Sequence, residues 1–553
     1  MNERTSPRRL PRLPAWAGWL LGLAPVTALA VGLVYYWRVF YSFDRMAAGL
    51  FTLLACTVAW ALYLAVFLAV RLGRSFAGRA AVCIFVCGAL FCFANPPLQA
   101  PDETDHYLRS YAISLGRLDF DADRGYPEDV DRLLAAFPGA WVNAHTSVGW
   151  GENSQGAEAP YDSSGYALKQ WGEDGEVLSV ADSFAQYLSG EPAKEKVTEP
   201  ISLMILPFVP QALGMVLARL IGLGALGCLY AGRLANLACY TLLCWLALRG
   251  CRRYQPVFLG VMLLPLSLYM AASLSYDATL LGFYYLVASY YCRDEIRDRD
   301  VYAFFAAFVL MNVAKPYINL LWIVLPLILP RRAWKTRWKK WQVALAGLVG
   351  AVVVTRFIEW YGVAFRHNYG TIERMIEGVE QLPQLAFILS NPLRYIAVLF
   401  GTLYENEFFI GQLGVFGSLD LPIPLLNILC PAVLLFCAAL SVHEKSSLRP
   451  LPAAGLGALG VVYIAGAMTA MYITYTPVGM VRVIGLQARY FLPVFLMLLV
   501  LVAALLSHVL EPKLAGTGKA LNVALVTTGG TAVLGAVLLF QHWFIGPVYT
   551  IYL

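Results

Sequence analysis

Charge is scarce in this sequence: 14% of its 553 residues are Asp, Glu, Lys or Arg while 59% are hydrophobic, against roughly 25% charged in a soluble domain. That shortage excludes an ordinary water-soluble domain. The net charge of +6 is not a nucleic-acid signature, because the Lys and Arg residues sit in short loops between apolar runs, where they set membrane orientation. Cysteine is missing from residues 98–200, so no disulfide staples that polar stretch. The eleven cysteines lie elsewhere, nearly all in or beside apolar runs, and the Cys83/Cys87 pair reads as small core residues rather than a metal site. Internal repeats, heptad runs and low-complexity tails are also missing, and no cleavage-site pattern follows Arg4, Arg8, Arg9 and Arg12, which points to a retained first helix with its basic end inside.

What is present is a succession of apolar runs, which makes the chain an all-α polytopic membrane protein with about thirteen expected crossings. Residues 1–97 hold three of them, and Arg71, Arg74 and Arg79 place the second loop inside. Three crossings then deliver residues 98–200 to the exterior. This loop carries 19 acidic against 7 basic residues, with short helices expected near 127–137 and 181–189. A membrane core follows over 201–357. Its first run, 201–222, is interrupted by Pro207 and Pro210, and counting it as a crossing would put Arg249, Arg252 and Arg253 outside. It is therefore expected to be a re-entrant or interfacial helix, with the true crossing at 228–248. Spans 256–272 and 277–292 form a hairpin with its outer tip at Ser273–Asp277. Two runs of about 14 residues, 302–314 and 316–329, are too short to cross separately and meet at Lys315–Pro316. Residues 358–423 are expected outside with an amphipathic helix near 384–402, and 424–553 complete the membrane helices.

Chemistry concentrates at Asn95–Ala112, where an apolar run ends and Asp102, Glu103, Asp105 and His106 follow within five residues. Prolines 96, 97 and 101 hold the approach extended, and beyond Thr104 the pattern is helical, with Glu103, His106 and Arg109 on one face. An N-terminal helix cap by Asp102 or Thr104 is one reading of the acids. The other is functional. On the deduced topology Asp102, Glu103, His106, Asp277, Lys315, Glu405, Arg482, Arg489 and Tyr490 gather near the outer face. A carboxylate there can act as a general base or hold a metal, for which Asp102 and Glu103 are the candidates, while Arg and Lys clamp phosphate. A divalent cation is compatible with this set but not required by it. Interfacial anchoring competes for Arg482 and Arg489, a helix cap for Asp277, and a solvated face for Glu405. An ionisable Lys315 at membrane depth calls for a polar cavity or partner.

The motifs Pro101-Asp102-Glu103 with His106, Pro265…Ser273…Ser275…Asp277, Lys315…Tyr317, Gly411…Gly414…Gly417…Asp420 and Gln487-Ala488-Arg489-Tyr490-Phe491-Leu492-Pro493 resemble the DUF2142 family of predicted bacterial membrane proteins, with Ala488 where a glycine is expected. That family is similar to the GT-C class of membrane glycosyltransferases. The resemblance implies a GT-C-like fold and transfer of a sugar from a polyprenyl-phosphate donor to a cell-envelope acceptor at the external face of a bacterial cytoplasmic membrane. It gives Asp102, Glu103 and His106 as catalytic candidates, Arg489, Lys315, Arg482 and Tyr490 as phosphate ligands, and Asp277, Arg109 and Glu405 as further members. A transporter or flippase for lipid-linked glycans, or an accessory subunit, is the competing expectation. Charges gathered at one face, without a repeat, favour the enzyme over the transporter.

Overall fold

A computed structural model describes residues 15–44, 46–73, 75–121, 124–137, 169–171, 177–194, 196–197, 205–251, 254–315, 318–329, 333–364, 366–367, 378–417, 421–442, 450–507, 509 and 518–546. Most of the acidic loop over 138–168, and Pro316, Tyr317 and Asp420, lie outside them. The chain divides into two compact units, Met1–Val86 and Cys87–Leu553. In the first, α1 (Ala15–Phe40) pairs with α2 (Ala48–Leu72), Trp37 stacking on Phe51 at 5.8 Å and the Trp60 indole donating to Thr27 Oγ1 at 2.9 Å. Leucines and valines cover the outer faces of both helices, as bilayer-facing helices require. The unit boundary falls within α3 (Phe76–Ala94).

The second unit continues with α4 (Glu103–Ser114), α5 (Glu128–Ala136) and α6 (Val180–Ser189), so the short helices expected near 127–137 and 181–189 are both present. A 3₁₀ turn at Leu206–Phe208 leads into α7 (Val209–Leu220), which packs along α8 (Ala225–Gly250). A side chain at Gly214 would begin 2.4 Å from the Ala231 carbonyl oxygen, so only glycine lets these two backbones approach so closely. α7 is too short to cross a bilayer, whereas α8, at 26 residues, is long enough. Asp129 accepts the Ala225 N–H at 2.7 Å and so caps α8 from another helix. Tyr107, Tyr111, Val130 and Leu133 build a small core with Met215 and Leu229 beneath it.

Proline then sets the breaks. Leu264, before Pro265, is extended (φ −55°, ψ 133°) and separates α9 (Gln255–Met262) from α10 (Pro265–Ala271). The Ser273–Tyr276 tip follows, then α11 (Asp277–Tyr291) and α12 (Asp298–Ala314). α12 ends at Lys315, extended at φ −149° and ψ 100°, as expected ahead of proline. After a 3₁₀ segment at Ile318–Ile323 come α13 (Val324–Ile328) and α14 (Lys340–Ala364). The amphipathic helix expected near 384–402 is two helices, α15 (Gln381–Ser390) and α16 (Pro392–Glu405), bent by 107° at Asn391 ahead of Pro392. α17 (Pro424–Leu440), α18 (Pro450–Thr474), α19 (Leu492–Leu506) and α20 (Gly518–Phe540) complete the helices. α9, α10 and α11 are buried on nearly every side, and α9 packs against α17, α19 and α20. Only two-stranded ribbons accompany the helices among the described residues.

Eight helices among the described residues are long and apolar enough to cross a membrane, nine if the bent α15–α16 pair is one span. The hydropathy count of thirteen is not reached, because the runs at α9–α10, α11, α12, α13 and α17 form short or proline-broken helices rather than full-length ones.

The segment between α3 and α4 is buried from Ala94 to Pro101, and one arginine satisfies much of its backbone. Arg233 of α8 donates to the carbonyls of Cys92 (2.9 Å), Asn95 (2.8 Å) and Pro96 (2.9 Å) and to both oxygens of Glu103 (2.8 and 2.6 Å). Both side chains of this ion pair are fully buried. Removing one partner leaves a buried charge unmatched, which costs about 3–5 kcal/mol. Glu103→Gln and Arg233→Met are each expected to lower stability on that scale, and the double variant by less than the sum. Thermal unfolding of the detergent-solubilised protein tests this; small additive losses would contradict it.

Candidate functional site

Asp102 closes the buried segment and opens α4, yet its side chain caps nothing. Its backbone lies in the left-handed region, φ 57° and ψ 17°, a conformation that costs a non-glycine residue about 1–3 kcal/mol. Leu98, four residues earlier, has φ 63°. The Asp102 side chain is 62% exposed, and its Oδ2 accepts a hydrogen bond from Arg489 Nη2 at 3.0 Å. Arg489 lies in the 3₁₀ turn Ala488–Phe491 that leads into α19, and is 7% exposed. Its other terminal nitrogen, Nη1, donates to Asp277 Oδ2 at 3.1 Å. Asp277 starts α11 and is itself buried. A single guanidinium thus holds two carboxylates 175 residues apart in the chain.

Lys315 and Tyr490 complete the cluster. The Lys315 ammonium stands 3.8 Å from the centre of the Tyr490 ring and has no ion pair among the described residues. The Tyr490 hydroxyl lies 3.4 Å from Arg489 Nη2. Since Lys315 ends α12 and Asp277 begins α11, the antiparallel α11–α12 pair brings its two free ends to one place. His106 packs its ring 5.3 Å from Phe208 and 5.2 Å from Tyr276, with Nδ1 buried and unpartnered.

Charge at the rim follows from this geometry. Withdrawal from water raises the Asp102 carboxyl, but Arg489, with His106 and Lys315, overcomes that and holds it below its ordinary 3.8. Asp102 is therefore ionised at neutral pH. Asp105 moves the other way, raised by burial and then by the Asp102 charge. Burial pushes the His106 imidazole down from 6.5 to about 4, against the pull of Asp102 and Asp277. His106 is a neutral ring at pH 7.

Several expectations change here. Glu103 is not an open catalytic carboxylate, because Arg233 occupies both oxygens and the amides of Leu274 (3.1 Å) and Ala100 (3.3 Å) donate to them as well. For the same reason Asp102 and Glu103 do not fit as a metal-ligand pair. No group of three His, Cys, Asp or Glu side chains converges among the described residues. Arg482 and Glu405 are exposed and stand apart from the Arg489 pairings. Arg109 is buried on α4, one turn beyond His106. Arg233 was not foreseen at all, although a charged residue inside the apolar run 228–248 is the signal that marks such groups.

A family model described as a predicted membrane protein, DUF2142, matches residues 85–499. The chain belongs to the DUF2142 family. No curated protein and no solved structure matches it. The DUF2142 match contains Asp102, Arg233, Asp277, Lys315 and Arg489, and leaves α1, α2 and α20 outside.

The His106 shift fixes a pH dependence. A base with a folded pKa below its unfolded value takes up its proton in the unfolded chain first, so the stability present above pH 6.5 is lost as pH falls toward 4. The loss amounts to at most about 3 kcal/mol for this group. Melting curves between pH 7 and 4.5 should be steeper for the natural protein than for His106→Gln. Parallel curves would show that His106 is not held neutral.

Proposed function

We propose that this DUF2142 protein is a membrane glycosyltransferase that moves a sugar from a polyprenyl-phosphate donor to a hydroxyl on a cell-envelope acceptor, at the external face of a bacterial cytoplasmic membrane. The observation that carries the reading is Asp102: an exposed, ionised carboxylate on strained backbone, held by a buried arginine that a second carboxylate fixes, with an uncompensated lysine alongside. A carboxylate that serves only a helix would be expected to cap it, and this one does not.

In the proposed reaction Asp102 takes the proton of the acceptor hydroxyl as that oxygen bonds to the anomeric carbon. The bond from the anomeric carbon to the phosphate oxygen breaks, and its electron pair leaves with the polyprenyl phosphate, which gains one negative charge. Lys315 and the Arg489 edge stabilise that charge where it develops. Asp277 keeps Arg489 in place while its Asp102 contact is remade. His106, neutral and packed between aromatic rings, shapes the wall behind Asp102 and carries no proton in the cycle. The membrane supplies the apolar medium in which the lipid donor is dissolved.

Asp102→Asn removes the charge but keeps a side chain that tolerates left-handed backbone. It should abolish transfer, a loss on the order of 10²–10⁴ in rate, with the melting temperature nearly unchanged. The assay is sugar transfer from a polyprenyl-phosphate donor by protein of matched stability. Natural turnover by Asp102→Asn would remove this residue from the mechanism.

A further inference from the structure

The ends of α11 and α12 away from Asp277 and Lys315 carry a second feature that the glycosyl-transfer reading does not use. There Ile296 bridges to Trp334, and the Lys335 N–H donates to the Ile296 carbonyl at 2.9 Å. The stretch from 331 to 340, Arg-Arg-Ala-Trp-Lys-Thr-Arg-Trp-Lys-Lys, has six basic residues and two tryptophans. Its described part, from Ala333 onward, alternates: Lys335, Arg337 and Lys339 are exposed, while Trp334, Thr336 and Trp338 are partly covered. A period of two puts the three cations on one face of an extended strip.

That strip is held rigidly. Trp334 Nε1 donates to the Trp338 carbonyl at 2.6 Å, and the Arg337 N–H donates to Asp298 Oδ1 at 3.1 Å. Arg337 Nη2 donates to the Tyr302 hydroxyl at 2.9 Å. Asp298 meets the charge of Arg337, but Lys335 and Lys339 have no ion pair among the described residues. The strip also leads directly into α14, a helix of membrane length with no acid in its first turn. α12 next to it has Asp298 and Asp300 in that position. Lys339 and Lys340 therefore add positive charge to the positive end of a helix dipole, which is unfavourable unless an anion sits there. Beside the strip lies an open apolar recess of about 290 Å³, lined by Trp334, Tyr291, Phe304, Leu325, Leu329 and Val343. Its one carboxylate, Asp300, is paired with Arg293 at 2.5 Å. Trp341, 57% exposed, follows at the start of α14, as an aromatic residue at a membrane interface does.

We propose that this face is a binding site for an anionic phospholipid, whose phosphate lies across Lys335, Arg337 and Lys339 and whose first acyl methylenes enter the recess beside Trp334. The lipid is favoured over a soluble partner because the cations open onto the end of a membrane-length helix and the recess next to them is apolar. The site is about 25 Å from the Asp102 cluster, the length of the 17-residue α12, and is independent of the reaction proposed there.

The test uses the full chain in dodecyl maltoside micelles, titrated with phosphatidylglycerol and, separately, phosphatidylcholine, with bound lipid counted by native mass spectrometry. Phosphatidylglycerol should be retained in preference to phosphatidylcholine. Lys335→Ala with Lys339→Ala should weaken its retention by roughly 25-fold, about fivefold for each cation, at unchanged melting temperature, while Lys335→Arg with Lys339→Arg should retain it. Equal retention by the alanine variant would overturn the proposal. Displacement of the lipid by polyglutamate at matched charge concentration would also overturn it, by making the surface a site for an acidic protein segment. So would equally strong competition by glycerol phosphate, which lacks a chain to enter the recess.

Discussion

A buried cation must be matched where it lies, and at Arg489 this constraint joins three distant parts of the chain. The guanidinium is 7% exposed, and an arginine cannot escape the cost of burial by giving up its proton. Asp277 and Asp102 therefore come to it, each to a different terminal nitrogen. The planar fork of arginine allows this; a lysine ammonium has no such fixed pair of directions. Arg489 Nε remains buried without a partner among the described residues. A donor left unmatched in this way carries the full penalty of its desolvation, and a ligand oxygen would remove that penalty.

The other fully buried arginine on this side shows the contrast. Arg233 spends all its N–H groups on three carbonyls and both oxygens of Glu103. Nothing is left over for a ligand. Its effect is on the backbone: it gathers the carbonyls that the Asn95–Pro101 segment cannot satisfy in a helix or sheet, and Glu103, fixed by the same contact, starts α4 in one position. Asp102 is the residue between that fixed point and Pro101, and its left-handed backbone is where the two constraints meet. The saturated pair is thus a foundation, and the unsaturated one is the site.

Much of this could be read from the sequence where a local rule applied. Pro265 and Pro392 mark helix breaks because the residue before proline is driven out of the helical region, and Leu264 and Asn391 conform. The inventory of ionisable groups at one end of the apolar runs brought Asp102, Asp277, Lys315 and Arg489 together before any coordinates. It could not separate Asp102 from Glu103, since the two are adjacent and equally acidic. What separates them is Arg233, 130 residues along the chain, and pairing across that distance leaves no local pattern. The crossing count failed for a related reason: hydropathy reports that α9–α11 are apolar but not that protein, rather than lipid, surrounds them. The 107° bend between α15 and α16 likewise depends on the Asn391–Pro392 pair, within a run whose composition alone reads as one amphipathic helix.

The most direct measurement is of the lipid that leaves the membrane with the protein. If the unmatched edge of Arg489 and the Lys315 ammonium hold a donor phosphate, mass spectrometry of the purified full chain should find a polyprenyl-phosphate-linked sugar. The same lipid should be lost from Arg489→Ala protein that remains folded. A preparation without such a lipid, or one that carries it equally with and without Arg489, would contradict the account.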